Sequence, residues 1–265
     1  MYFINGFASF GSLPRGRVAV LNSDGSADTT FAPSSGANGF VYSVATQFDH
    51  KVLVAGSFTS FNGTPRTRIA RVNADGSVDS TFDPGTGANN LIDAMAVQND
   101  GRVFIGGYFT SYNGTPRNRI ARLNSDGSLD STFDPGSGAN DYIRCIAIQP
   151  DGKVLIVGEF DTINGIPRTS IARLNSDGSL DTSFDPGTSG NSTLYSAVVQ
   201  PDGKILVCGN FTSFNGIARN RIVRLAANGG VDASFSPGTG PNSYVMALDL
   251  QADGQILITG GFTFY

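Results

Sequence analysis

The sequence predicts an all-β fold, a five-bladed β-propeller with four antiparallel strands in each blade, and three observations indicate it. Glycine supplies 34 of the 265 residues, and Glu159 is the single glutamate among 22 acidic residues. Glutamate favours helices, whereas aspartate favours turns. The chain also repeats with a period of 51 residues. Finally, Asp-Gly or Asn-Gly pairs separate short apolar runs, which is typical of β-hairpins.

The period is marked by six phenylalanines, each 51 residues after the one before: Phe7, Phe58, Phe109, Phe160, Phe211 and Phe262. Repeats of this length are typical of solenoids and propeller blades. Five periods occupy 255 residues and leave ten. We therefore expect residues 1–265 to form a single propeller domain with about ten redundant residues, or a segment of a longer array.

Each period is expected to supply four strands. In the third full copy they are 143–149 (strand A), 153–160 (strand B), 169–175 (strand C) and 179–184 (strand D). Nine of the ten A–B and C–D turns carry Asp-Gly or Asn-Gly, which predicts type I′ turns. In the tenth turn His50 stands in the place of glycine, at a small cost in strain. A parallel β-helix is the rival fold, but its coils need no tight antiparallel turn every ~25 residues.

Two further features concern strand B. A glycine recurs inside it in five copies and indicates a bulge or a close backbone approach: Gly56, Gly107, Gly158, Gly209 and Gly260. Strand B also occurs six times, because 1–10 aligns with 256–265. We expect the two ends to share the closing blade, with strands A and B at 245–262 paired to strands C and D at 16–31. The spare strand B is then displaced, or it pairs with a neighbouring molecule; a monomeric ring is preferred.

Charge and composition exclude several function classes. The net charge of −4 argues against nucleic-acid binding. Apolar runs such as Val154–Val157 have the length of a strand, which argues against membrane insertion, and the first residues show no signal-peptide pattern. His50 is the single histidine and sits in a turn, so Ser-His-Asp, Cys-His and multi-histidine zinc sites are excluded or severely limited. We expect no enzyme, no cofactor and no metal, although paired aspartates leave a glycan hydrolase as a less favoured alternative.

Two segments together carry a resemblance to a known family. They are Gln-Pro-Asp-Gly-Lys-Ile-Leu-Val-Cys-Gly-Asn-Phe at 200–211 and Arg-Leu-Asn-Ser-Asp-Gly-Ser-Leu-Asp-Thr-Ser-Phe-Asp-Pro-Gly at 173–187. This pattern resembles the bacterial delta-sixty repeat and extends over all five periods. The resemblance implies a β-propeller in a secreted or surface-attached protein, and hence an extracellular or cell-surface location. It implies no particular reaction or ligand.

The B–C connections are the first candidate binding site, because each presents an aromatic or apolar residue, an Asn-Gly pair and an arginine. An aromatic face beside an amide and a guanidinium suits a sugar ring. The alternative is that Asn-Gly only makes the turn while the ring packs beneath it, and this alternative is preferred. The candidate residues are Phe61, Asn62, Arg66, Tyr112, Asn113, Arg117, Asn164, Arg168, Phe214, Asn215 and Arg219.

Thirteen of the 18 basic residues lie in or just before strand C. They could bind anionic glycans, but aspartates follow them in every copy, so ion pairs that fix the register are the preferred interpretation. The second position of strand A varies against this constant background and predicts exposed or channel-facing sites at Tyr42, Asp93, Arg144, Tyr195 and Met246.

From these features we expect a non-enzymatic interaction module that presents its blade loops to a glycan or protein ligand. Several equivalent weak sites would gain avidity on a repetitive target. The alternative is a structural spacer or a self-assembling adhesin or filament element that uses the redundant strand B.

Overall fold

The computed structural model describes residues 2–4 and 7–265, with side chains from residue 7 onward. Every regular element in these residues is a β-strand, which confirms the all-β class. No helix in the described part of the chain is long and apolar enough to cross a membrane. The chain divides into two compact units, Met1–Ser131 and Thr132–Tyr265.

The described residues of the first unit form fourteen strands. They are β1 (Tyr2–Ile4), β2 (Ser9–Phe10), β3 (Leu13–Pro14), β4 (Val18–Val20), β5 (Val41–Thr46), β6 (Val52–Gly56), β7 (Ser60–Phe61), β8 (Thr64–Pro65), β9 (Ile69–Val72), β10 (Ile92–Val97), β11 (Val103–Gly107), β12 (Ser111–Tyr112), β13 (Thr115–Pro116) and β14 (Ile120–Leu123). They form two three-stranded sheets, β5-β6-β9 and β10-β11-β14, together with β1-β4 and three short hairpins.

The second unit repeats this pattern. Its strands are β15 (Ile143–Ile148), β16 (Val154–Gly158), β17 (Thr162–Ile163), β18 (Ile166–Pro167), β19 (Ile171–Leu174), β20 (Leu194–Val199), β21 (Ile205–Gly209), β22 (Ser213–Phe214), β23 (Ile217–Ala218), β24 (Ile222–Leu225), β25 (Val245–Leu250) and β26 (Ile256–Gly260). They form the sheets β15-β16-β19 and β20-β21-β24, the pair β25-β26 and two short hairpins. All pairings are antiparallel.

Strands A, B and C lie as predicted, but strand D is reduced to one bridge. In the third copy that bridge joins Leu174 and Leu180. The next residue, Asp181, donates its backbone N–H to Arg173 and accepts hydrogen bonds from Ser183 through its carboxylate. This local turn competes with strand pairing, so the ladder stops after one bridge.

The hairpin turns also differ from the prediction. All nine turn glycines have positive φ, and so does His50, at 64°, but the aspartates before the glycines do not. In one example the backbone N–H of Gly76 donates to the carbonyl of Asn73, and the backbone N–H of Asn73 donates to the carbonyl of Ser77. This is a type I turn closed by a glycine bulge, because a type I′ turn requires positive φ at both central residues.

The strand-B glycines mark bulges, as predicted. A Cβ on any of the five would lie 1.9–2.3 Å from a carbonyl oxygen just before strand A. In the third copy the register shifts between Ile143 and Cys145, which leaves Arg144 as the extra residue. The equivalent shift occurs in the other four copies of strand A. The glycine therefore makes room for the backbone that enters the bulge.

The core of each unit lies between successive sheets. Strands β6, β11, β16 and β21 are buried along their whole length. In the second unit Leu155 and Ile171 of one repeat pack with Ile205, Phe211 and Leu225 of the next. Because these four strands are buried on both faces, they read as continuous apolar runs in the sequence.

The structure differs from the predicted closing blade at one point. The edge of β4 that was assigned to 256–262 is filled by β1, from Tyr2 opposite Val20 to Ile4 opposite Val18. A short connection joins β1 to β4, and closing a short loop costs less chain entropy than closing a long one. Among the described residues, β26 pairs with β25 alone.

Candidate functional site

The aromatic residues predicted for ligand contact in the B–C connections are buried. Phe61, Tyr112 and Phe214 are 0% exposed, and the Tyr112 hydroxyl donates to the carbonyl of Gly127 at 2.8 Å. These rings therefore pack beneath the turn and offer no face to a sugar. The reason is that each connection folds into a short hairpin whose first strand points this side chain into the core.

The asparagines of the same connections hold a neighbouring loop. The Oδ1 atom of Asn62 accepts the backbone N–H of Gly36 at 2.9 Å, and its amide donates to the carbonyl of Gly76. Asn113, Asn164 and Asn215 bind the loop before their own repeat in the same way. All four have positive φ, so Asn-Gly both makes the turn and ties the loop down.

The loop arginines are also engaged within the chain. In each copy a terminal nitrogen donates to the carbonyl of the preceding residue, at 2.8–2.9 Å: Arg66, Arg117, Arg168 and Arg219. The loops thus bring together the predicted residues, but mainly for their own structure. Their assignment as ligand-binding residues stays a prediction.

A second set of arginines, in strand C, confirms the predicted ion pairs. The Nε of Arg71 donates to Asp79 at 2.6 Å, and that of Arg173 donates to Asp181 at 2.7 Å. A strand-B lysine shares each carboxylate, as Lys153 does with Asp181 at 2.8 Å. Arg122 and Arg224 form the equivalent pairs with Asp130 and Asp232.

These carboxylates are held in their charged form. Burial alone would raise the pKa of Asp181, but hydrogen bonds from Lys153, Ser183 and Arg173 outweigh it and keep that pKa below the ordinary value. The same balance, with bonds from Thr81, lowers the pKa of Asp79. Each carboxylate is therefore held between two cations by contacts within the chain.

The variable positions of strand A carry exposed or half-buried side chains. All five are the extra residues of the strand-A bulges, and a bulge redirects a side chain out of the ladder. Tyr42 is 39% exposed and Met246 53% exposed, while Asp93, Arg144 and Tyr195 are half-buried. Their assignment as exposed or channel-facing ligand sites stays a prediction.

In the second unit two of the bulge residues, Arg144 and Tyr195, belong to a cluster of aromatic and charged side chains. The guanidinium carbon of Arg144 lies 4.7 Å from the ring centre of Tyr142 and 5.8 Å from that of Tyr195. The ring of Tyr195 meets that of Tyr244 at 6.3 Å, edge to face. Arg144 also donates its Nε to the Glu159 carboxylate at 2.9 Å. We refer to these five residues as the tyrosine–arginine cluster.

Backbone contacts fix the tyrosine–arginine cluster. Glu159 directly follows the strand-B glycine, and its N–H donates to the carbonyl of Tyr142 at 2.8 Å. Gly261 binds Tyr244 in the same way, at 3.0 Å, and a Cβ on Gly261 would lie 2.6 Å from the Tyr244 ring. The rings are therefore set by the same bulges that redirect Arg144 and Tyr195.

The chemistry of the cluster is amphipathic. Three half-buried phenol rings offer apolar faces with polar edges, and Arg144 and Glu159 add donors and acceptors whose charges cancel. Within the described residues, no group of three or more His, Cys, Asp or Glu side chains is placed to hold a metal ion. The arrangement suits a ligand with hydroxyl groups and apolar ring faces.

The first unit has a smaller counterpart at the same bulge positions. The rings of Phe40 and Tyr42 stack at 6.2 Å with an angle of 17°, and Phe40 is 51% exposed. In the next repeat the guanidinium of Arg119 lies 4.3 Å from the ring centre of Tyr108. Exposed aromatic residues thus recur beside the bulges.

Sequence reasoning found Arg144, Tyr195 and Met246 but missed Tyr142, Glu159 and Tyr244. The missed residues flank the bulge, and they also vary between copies. The position of Tyr142 reads Phe40, Leu91, Tyr142, Thr193 and Tyr244 along the chain, and that of Glu159 reads Ser57, Tyr108, Glu159, Asn210 and Gly261. Comparing the five copies at the residue just before strand A and at the residue just after the strand-B glycine would have found these three residues.

Comparisons with known proteins support the repeat architecture. The family model described as "Domain of unknown function (DUF5122) beta-propeller" matches residues 6–31, 47–82, 98–133, 149–184 and 200–235. The match confirms a β-propeller repeat family, although it does not confirm the delta-sixty designation. No curated protein matches the sequence.

Solved structures confirm the propeller fold. The chain is similar to a gluconolactonase from Xanthomonas campestris, with a TM-score of 0.54 and 16% identity over 92% of this chain and 75% of that one. It is also similar to a Bacteroides caccae protein of unknown function, with a TM-score of 0.55 and 15% identity over 97% of this chain and 81% of that one. For streptogramin B lyase the TM-score is 0.53 and the identity is 13%, over 86% of this chain and 64% of that one.

These likenesses correct the prediction that the chain is not an enzyme. A gluconolactonase and streptogramin B lyase use the same fold. The prediction was wrong because it relied on missing histidine and cysteine motifs, whereas this fold carries enzymes. At these identities the likeness shows the fold alone.

Proposed function

Since the chain belongs to the DUF5122 β-propeller family, we propose that it binds a carbohydrate at the tyrosine–arginine cluster of its second unit. The observation that supports the proposal is the convergence of Tyr142, Arg144, Tyr195 and Tyr244 on neighbouring bulges. The rings supply faces for the apolar side of a sugar, and Arg144 with Glu159 supplies hydrogen bonds to hydroxyl groups.

The charges favour a neutral sugar. Arg144 is paired with Glu159, so the cluster carries no net charge. The strand-C arginines that would attract sulfated or carboxylated glycans are paired with aspartates. An anionic glycan would have to separate these pairs, whereas a neutral one binds without disturbing them. For a surface or secreted protein, which the resemblance implies, the ligand would be a neutral extracellular polysaccharide.

The test is calorimetric titration of the protein with cellohexaose, mannohexaose and a heparin hexasaccharide. We expect one of the two neutral hexasaccharides to bind. Tyr195→Ala removes one stacking face, which is worth about 1–1.5 kcal/mol or roughly tenfold in affinity. Tyr195→Phe keeps the face, so its affinity should stay within about threefold of the parent.

The matched control is Ile166→Ala, which truncates an apolar side chain that is 41% exposed in the same unit but outside the cluster. It should leave the affinity unchanged. The proposal fails if neither neutral hexasaccharide binds, if heparin binds more tightly than both, or if Tyr195→Ala and Ile166→Ala have equal effects.

A further inference from the structure

A polar cavity of about 250 Å³ lies in the first unit, between the A–B turns that follow β5 and β10. Phe48 and Asp49 line it from the first of these turns, and Asp100 lines it from the second. Arg71 of β9 also lines the cavity; this arginine is buried, and it donates to the carbonyl of Ser125 at 2.6 Å. The cavity thus has walls from two successive repeats and a buried charged side chain among them.

Phe48 departs from the pattern of the other repeats. The same position holds Asn99, Pro150, Pro201 and Ala252 in the later copies, and it is exposed in all five. Exposure at this position is therefore a property of the turn, and Phe48 is 80% exposed. A single exposed apolar side chain is ordinary. An aromatic side chain that lines a polar cavity, however, offers a ring face to a ligand.

Two glutamines that line the cavity have an amide oxygen in need of a donor. The Oε1 atoms of Gln47 and Gln98 are buried and accept no hydrogen bond from the described residues. In the third copy the equivalent Gln149 accepts a hydrogen bond from Arg173 at 3.4 Å. The last torsion of a glutamine side chain is broad, so each free oxygen can turn to a donor placed in the cavity. A ligand that supplies these donors satisfies two buried acceptors.

The charges around the cavity cancel. Three aspartates face three cations at 2.6–3.7 Å: Asp49, Asp79 and Asp100 with Lys51, Arg71 and Arg102. A charged ligand would have to compete with these pairs, whereas a neutral ligand leaves them in place. The cavity therefore favours a neutral occupant.

A sugar hydroxyl has the hydrogen-bonding capacity that these walls require. Hydroxyl groups donate as well as accept, so they can serve the amide oxygens of Gln47 and Gln98. The side chains of Asp49 and Asp100 are about half exposed and can accept further hydroxyl groups. The ring of Phe48 suits the apolar face of the sugar. Pockets for drug-sized ligands measure about 300–1,000 Å³, so this smaller cavity has room for one sugar ring.

We propose that this cavity binds one residue of a neutral sugar, with Phe48 against the ring face and Gln47 and Gln98 accepting from its hydroxyl groups. The site is separate from the tyrosine–arginine cluster, because its residues all belong to the first unit and those of the cluster to the second. It does not depend on what the cluster binds. Two sites on one chain would let it gain avidity on a polysaccharide.

The first test is titration of the isotopically labelled full chain, followed by NMR, with the amide signals of Gly101 and Ser125 as reporters of the cavity. The neutral probes are methyl α-glucopyranoside and methyl α-mannopyranoside, and the charged probes are methyl glucuronide and glucosamine. We expect one neutral glycoside to shift both signals. The shifts should persist in Tyr195→Ala, which alters the cluster, so failure of the cluster to bind leaves this result intact.

The second test uses variants of the cavity. Phe48→Ala should weaken binding roughly tenfold, whereas Phe48→Tyr keeps the ring and should stay within about threefold of the parent. Because Phe48 is 80% exposed, neither change disturbs the core. Gln98→Met removes one acceptor and should also weaken binding, by roughly fivefold to tenfold.

The matched control for Gln98→Met is Gln200→Met. Gln200 holds the equivalent position in the fourth copy and also has a buried, unpaired Oε1, but it lies outside the cavity. It should change stability as Gln98→Met does and leave binding unaltered. The proposal is overturned if neither neutral glycoside shifts the two signals, if a charged probe binds more tightly than both, or if Phe48→Ala binds like the parent. Equal effects of Gln98→Met and Gln200→Met on binding also overturn it.

Discussion

The ion clusters of strand C give the sharpest stability prediction, through the substitution Asp181→Asn. The Asp181 carboxylate is 7% exposed and accepts hydrogen bonds from Arg173 at 2.7 Å and from Lys153 at 2.8 Å. Its other oxygen accepts the N–H and the hydroxyl of Ser183. Asparagine can keep the bonds to Ser183, but it leaves two cations facing a neutral amide.

Asp181→Asn should lower the free energy of unfolding by about 3 kcal/mol. Removing one member of a buried ion pair costs roughly 3–5 kcal/mol, and rearrangement of the remaining cations recovers part of this cost. Lys153, whose side chain is 30% exposed, can turn to water, whereas Arg173, at 8%, stays buried. For a protein of this size, 1 kcal/mol corresponds to roughly 2–4 °C in Tm, so Tm should fall by about 6–12 °C.

The assay is calorimetry together with urea unfolding, and Asp202→Asn is the control. The Asp202 side chain is 56% exposed and lies 3.8 Å from the nitrogen of Lys204. An exposed pair of this kind contributes less than about 1 kcal/mol. If Asp181→Asn costs no more than Asp202→Asn, the buried clusters do not stabilise the repeats and the reasoning is refuted.

The same pair of proteins gives a pH dependence. In the folded state the pKa of Asp181 lies below its ordinary value of 3.8. The stabilisation from its charge is therefore fully present above that value and is lost as the pH falls through the folded-state pKa. The difference in stability between the parent and Asp181→Asn should be constant near neutral pH and shrink as the pH falls below about 4.

Three further substitutions test the repeat scaffold. Gly158→Ala places a Cβ 1.9 Å from the Tyr142 carbonyl oxygen and should prevent folding of the second unit, which hydrogen exchange would show as lost protection. Gly152 has a φ of +82° and open space around it, so Gly152→Ala should lower the free energy of unfolding by only about 1–3 kcal/mol. Tyr112→Phe removes the hydroxyl that donates to Gly127 and should cost about 1–2 kcal/mol in urea unfolding. An unchanged midpoint would mean that Gly127 finds another donor.

The sequence predicted the repeat, the strands and the bulges because each depends on residue type at a fixed spacing. Gly158, for example, has no Cβ to meet the Tyr142 carbonyl, and its recurrence inside an apolar run indicates that close approach. The turn type was wrong, since Asp-Gly fits both a type I′ turn and a type I turn with a glycine bulge. The choice depends on the hydrogen-bond register, such as Asn73 to Ser77, which the dipeptide does not encode.

The candidate site was predicted only in part, for a different physical reason. Whether a loop residue points into the core depends on the fold of that loop, and no simple period governs it. Tyr112 was a candidate for ligand contact in a polar loop, although packing beneath the turn was the preferred alternative, and the hairpin β12–β13 does turn it inward. Arg144 was found because it varies between copies, whereas Tyr142 and Tyr244 lie outside the regular strands, where variation is ordinary and so carries less information.

The bulges explain why the proposed binding site lies at the strand-A positions and not in the loops. A bulge is defined by the backbone and by the glycine opposite it, so it makes no demand on the side chain of its extra residue. The loop positions have no such freedom, because Asn164 must hold Ser137 and Ile163 must fill the core. A repeat chain can therefore change its ligand at one residue per repeat without losing stability. Four residue types over the five copies of this position, Tyr42, Asp93, Arg144, Tyr195 and Met246, are what such freedom permits.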